Sequence, residues 1–73
     1  MSIIYDYSKL LGKIKEKYST QKNFADALGI GNTSLNQRLN NKLEWTQDEM
    51  KKTMILFDEP LSKVNEYFFT KKV

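Results

Sequence analysis

Between residues 32 and 40 the chain places Asn32, Thr33, Asn36, Gln37 and Asn40 at intervals that collect side chains on one side of a helix. An amide carries a donor and an acceptor in one plane, which matches the edge of adenine in a major groove, and hydroxyls serve several bases. An ordinary surface helix would carry Glu–Lys pairs instead, yet Arg38 is the only charge between Asp26 and Lys42. An uncharged, amide-rich helix flanked by cations suits a groove reader with phosphate contacts at its edges. A solvated helical hairpin with no ligand is the competing reading.

Other chemistry finds few residues. There is no cysteine and no histidine, so the sequence offers no thiol nucleophile, imidazole base, disulfide or zinc staple. The carboxylates Asp48, Glu49, Asp58 and Glu59 are of the type that holds a metal or forms an acid–base pair. Capping and turn roles account for them directly. The expectation is a protein that is not an enzyme and needs no metal, cofactor or small-molecule substrate.

The charge is unevenly spread. Residues 1–43 hold seven cations against three anions, while residues 44–73 hold five against six, within a net +3 for the chain. The front half is the one suited to a polyanion. No run of about twenty apolar residues exists to span a membrane, and the start, Met1 to Asp6, lacks the basic and apolar regions of a signal peptide. A cytoplasmic location in a bacterial host, with the nucleoid, is the corresponding expectation.

The elements that must position the amide face follow from helical spacing throughout the 73 residues. Tyr7, Leu10, Leu11, Ile14 and Tyr18 predict a first helix over about 7–18, capped by Asp6 or Ser8. Thr20 caps a second helix that buries Phe24, Ala25 and Leu28 and ends at Gly29 in a left-handed conformation. Asn32 caps a third helix with Leu35 and Leu39 inward, closed by Asn40-Asn41. Thr46-Gln47-Asp48-Glu49 is a capping box opening a fourth helix to about Phe57, burying Met50, Met54 and Phe57, with Trp45 as a staple. After Pro60, Leu61, Val64, Tyr67 and Phe68 predict a short fifth helix. Ile3-Ile4-Tyr5 is too short to judge as a strand. The fold class is all-α, a compact five-helix domain spanning 1–73.

Within residues 20–42 each fixed position has a steric reason. Ala25 is small where two helices cross steeply, Gly29 permits positive φ, and Ile30 and Leu35 fill the angle between the helices. With a glutamine at its first position, alanine at the fifth, glycine at the ninth and a closing Leu-Asn-x-Lys, this segment resembles the helix-turn-helix of the lambda-repressor/Cro-like superfamily. The wider chain, from Tyr7 onward, is similar to small Cro-like regulators of temperate phages of Gram-positive bacteria. These pair a Tyr-x-x-Leu-x-x-x-Ile first helix with a Trp-x-x-x-Glu-Met/Ile fourth helix and a closing Tyr-Phe-Phe.

The resemblance implies a transcriptional regulator that binds a double-stranded DNA operator as a homodimer. Asn32, Thr33, Asn36 and Gln37 would then reach base edges, and Gln21, Lys22, Asn40 and Lys42 would contact phosphates. Arg38 stands where the family is usually apolar, so its stem would pack while its head meets a phosphate. Asn41 stands where the family commonly has glycine. Tyr67-Phe68-Phe69 is more aromatic surface than one small core needs, so about 61–73 offers either a dimer or partner surface or terminal packing, and the two readings stand equal. The alternative function is a modulator or antirepressor that binds a phage repressor protein.

Overall fold

The computed structural model describes residues 4–72. Its helices are α1 (Ser8–Tyr18), α2 (Gln21–Leu28), α3 (Asn32–Leu39), α4 (Gln47–Leu56) and α5 (Val64–Phe68), with a 3-10 turn at Leu61–Lys63 leading into α5. Among the described residues the only extended pairing is an isolated antiparallel bridge between Tyr5 and Lys71. The chain is therefore all-α with five helices, as its spacing predicts. No helix among the described residues is long and apolar enough to cross a membrane.

The core follows the predicted stripes. Leu10 and Ile14 of α1, Phe24, Ala25 and Leu28 of α2, Leu35 and Leu39 of α3, and Met54 with Phe57 at the end of α4 are all buried. Phe24 is the hub, with its ring 5.3 Å from Tyr18 and 5.5 Å from Phe57. A second aromatic group joins Trp45 to Phe68 at 4.9 Å and to Tyr7 at 6.5 Å. Tyr67 and Phe68 complete the interior, whereas Leu11, Leu61 and Phe69 stay on the surface. Leu61 falls outside the predicted fifth-helix stripe because the 3-10 turn rotates it away from the α5 register.

Caps set the helix boundaries. The Thr20 hydroxyl accepts from the Asn23 amide at 3.1 Å, and Gly29 closes α2 at φ 85°. Thr46 and Glu49 form the reciprocal capping box at the start of α4. Two expected caps differ. Tyr7 holds the cap position of α1, and Asp6 satisfies the first helical amide by accepting from Ser8 N–H at 2.9 Å. Gly31 caps α3 in extended conformation without a side-chain bond, which makes Asn32 the first helical residue. Replacing Thr46 with Ala is expected to cost about 1 kcal/mol by urea denaturation.

The N-terminal segment is tied down at both sides. Asp6 N–H donates to Thr70 O at 2.7 Å and Lys72 N–H to Ile4 O at 2.9 Å. On the other side, the Asn41 side chain accepts from Tyr5 N–H at 2.9 Å and donates to Tyr5 O at 3.1 Å. Asn41 itself sits at φ 62°. It thus does what glycine does at this turn and adds two hydrogen bonds glycine cannot make.

Candidate functional site

The α2–α3 pair is built by the residues that the motif singles out. Ala25 and Leu35 are fully buried between the helices, and the Ala25 carbonyl accepts from both Gly29 N–H (2.9 Å) and Ile30 N–H (3.1 Å). Ile30 packs partly buried against the core. This tight turn leaves Asn32, Thr33, Asn36, Gln37 and Asn40 exposed along α3. Asn36 and Asn40 are not independent: the Asn40 amide donates to the Asn36 backbone oxygen at 2.8 Å and to its side-chain oxygen at 3.1 Å.

The cations around this face are mostly engaged within the chain. Arg38 was expected to send its guanidinium to a phosphate, but its side chain is only 14% exposed. It turns inward instead, donating from Nε to Glu49 Oε1 at 2.9 Å and from Nη1 to the Ser34 carbonyl at 2.9 Å. Glu49 is the carboxylate of the α4 capping box, so one group anchors α4 to itself and to α3. Lys22 pairs with Asp26 at 3.2 Å on the exposed side of α2. Lys52 donates to the Leu28 carbonyl at 3.0 Å, closing the end of α2. Gln21 opens α2 on the surface, and Lys42 is exposed just beyond α3, without an ion pair among the described residues. Residues 21–39, which hold both helices, contain two cations, Lys22 and Arg38, and one anion, Asp26, and each cation is paired. The helix pair therefore offers few unengaged positive charges to a polyanion.

Of the acidic candidates, Glu49 and Glu59 are engaged within the chain. Glu59 pairs with Lys13 at 3.4 Å and Lys63 at 3.6 Å. Burial raises the Glu49 carboxyl, but the Thr46 amide and the Arg38 guanidinium outweigh it and hold its pKa below the ordinary 4.5. A carboxyl depressed in the folded state stabilises the fold above its unfolded pKa and loses that contribution as pH falls through the folded value. Stability is therefore expected to decline below about pH 4.5, and a Glu49→Gln variant should show a smaller decline across that range in thermal melts. The sequence marks Arg38 as the lone charge on an otherwise neutral helix, but its partner eleven residues on is not marked by spacing.

The family model described as "Protein of unknown function (DUF739)" matches residues 3–71. Among solved structures, the chain is similar to the modulator of repression (MOR) of the temperate bacteriophage TP901-1 from Lactococcus lactis. The two share 43% identity over 89% of this chain and 88% of that one, with a TM-score of 0.79. No curated protein matches the chain. The neighbour bears out the phage-regulator part of the sequence resemblance; assignment to the Cro-like repressors has no such match.

Proposed function

The chain belongs to the DUF739 family, and from that premise we propose that it modulates repression in a temperate phage by binding the phage's repressor protein. It acts in the bacterial cytoplasm as a non-catalytic regulator. The neighbour named as a modulator of repression supports this reading. The observation that carries it is the inward pairing of Arg38, the one charged residue of α3, with Glu49. DNA affinity rests mainly on neutralised phosphates, with a salt slope of about −0.9 per phosphate contact. A nearly neutral helix pair whose guanidinium is bound to a carboxylate has little of that term, whereas an uncharged amide and hydroxyl face suits a protein surface.

A second reading keeps operator binding by a homodimer, because Asn32, Thr33, Asn36 and Gln37 are exposed on the second helix of a tight helix pair. Two titrations separate the readings. In the first, the chain is added to the repressor of the phage that encodes it, without DNA, and complex formation is followed by light scattering. In the second, the chain alone is titrated against the phage's intergenic DNA at several salt concentrations. A complex in the first and weak DNA binding with a slope shallower than about −3 in the second are expected. Tight operator binding alone with a slope of about −5 or steeper, and no complex with the repressor, would establish the second reading instead.

A further inference from the structure

Beside the end of α3 lies an open groove of about 440 Å³ whose apolar walls are Tyr5, Leu43, Trp45, Met50 and Phe69. Leu43 is 47% exposed and Phe69 is 43% exposed, and of the exposed large apolar residues, which also include Ile4, Leu11, Ile55 and Leu61, these two line the groove. Phe69 is held edge-on to Tyr5 at 5.8 Å, and Tyr5 is held by Asn41, so this surface is preformed. Preformed apolar grooves beside a polar face are the usual seats of anchoring side chains.

The polar groups of the groove's lining are one cation, Lys42, one anion, Glu44, the Asn41 amide, the Tyr5 and Tyr7 hydroxyls and the Trp45 indole, and Lys71 adjoins them from outside the lining. Lys42 lines it, and Lys71 stands directly across the bridge from Tyr5, where paired side chains share a face. Neither lysine forms an ion pair among the described residues. In the wall, the buried Trp45 Nε1–H has no hydrogen-bond partner. The nearby Tyr7 hydroxyl interacts with it, but not in hydrogen-bonding geometry. A buried donor without an acceptor is uncommon in a native structure and asks for an explanation. Glu44 is the one acidic group on the lining. The occupant these groups fit is apolar at its centre and rich in acceptors at its edges.

We infer that the groove docks an acidic segment of the repressor, with one large apolar side chain seated between Leu43, Trp45 and Phe69. Carboxylates flanking that anchor meet Lys42 and Lys71, and a small rotation of the indole gives Trp45 Nε1–H an acceptor. This inference rests on the repressor-binding reading and names the surface that binding uses.

The test compares repressor affinity by calorimetry for the full chain and three sets of variants, with circular dichroism confirming that each is folded. Leu43→Ser with Phe69→Ser removes the apolar walls at positions already partly exposed. Lys42→Glu with Lys71→Glu reverses the charge and leaves the walls alone. Ile55→Ser, at the most exposed large apolar residue and outside the groove, is the control. Wild type and Ile55→Ser should bind alike, and each double variant should lose about tenfold or more. Emission from Trp45, the sole tryptophan, should shift on binding in the wild type.

If wild type binds the repressor and both double variants match it, docking lies elsewhere and the inference fails while the repressor reading stands. If only the charge reversal is harmless, the acidic character of the occupant is wrong. Loss of self-association by the double variants, with repressor affinity intact, would assign the groove to a second copy of this chain and overturn the inference. If wild type does not bind the repressor, the underlying reading itself fails.

Discussion

Phe24→Ala should leave the chain largely unfolded at 37 °C. Phe24 is fully buried, and its ring joins Tyr18 at the end of α1 to Phe57 at the end of α4. Truncating a buried phenylalanine costs about 3–5 kcal/mol in transfer and cavity terms. A domain of this size holds only about 4–11 kcal/mol in total, at 0.05–0.15 kcal/mol per residue, and without cysteine no disulfide adds to it. The measurement is a urea unfolding curve, in which the midpoint should fall sharply. A loss below about 1 kcal/mol would mean that the three helices do not meet on this ring.

Asn41→Ala should be the most disruptive single change on the exposed surface. At φ 62° a residue with an ordinary Cβ is strained by about 1–2 kcal/mol, and Ala also gives up both bonds to the Tyr5 backbone. Each such bond is worth about 0.5–1.5 kcal/mol. The expected loss is therefore about 2–5 kcal/mol. Asn41→Gly separates the two causes, because glycine accepts the left-handed conformation and loses only the hydrogen bonds. Its cost should be about half that of Ala, with faster amide exchange at Tyr5 in both variants. Equal costs for the two would show that the backbone conformation contributes nothing.

These two positions also mark what the sequence could and could not reveal. Phe24, Ala25, Gly29 and Leu35 are legible because they obey local rules: three- and four-residue spacing, a cap, a left-handed terminus. The same rules identified the Thr20 and Thr46 caps and all five helices. Asn32 was misread as a cap because Gly31, immediately before it, adopts the extended cap conformation without needing a side-chain acceptor.

The remaining site features depend on pairings between elements distant in sequence, which periodicity does not encode. Arg38 meets Glu49 and Asn41 meets Tyr5 only after α3 has packed against its neighbours. Both pairings change the functional reading. The first withdraws a cation from the surface expected to grip phosphate. The second holds Tyr5 in the groove wall, so an apparent departure from the glycine of related turns becomes part of the proposed docking surface. Of the closing Tyr67-Phe68-Phe69, two rings complete the core, and Phe69 alone remains as the outward aromatic.

Hydrogen–deuterium exchange tests the central claim most directly, comparing the chain alone, with the phage repressor, and with intergenic DNA. Direct contact with the repressor predicts slowed exchange along α3 and at residues 41–45 and 69 when repressor is added without DNA, and no comparable change with DNA alone. Slowed exchange confined to α3 with DNA alone, and none with the repressor, would contradict it.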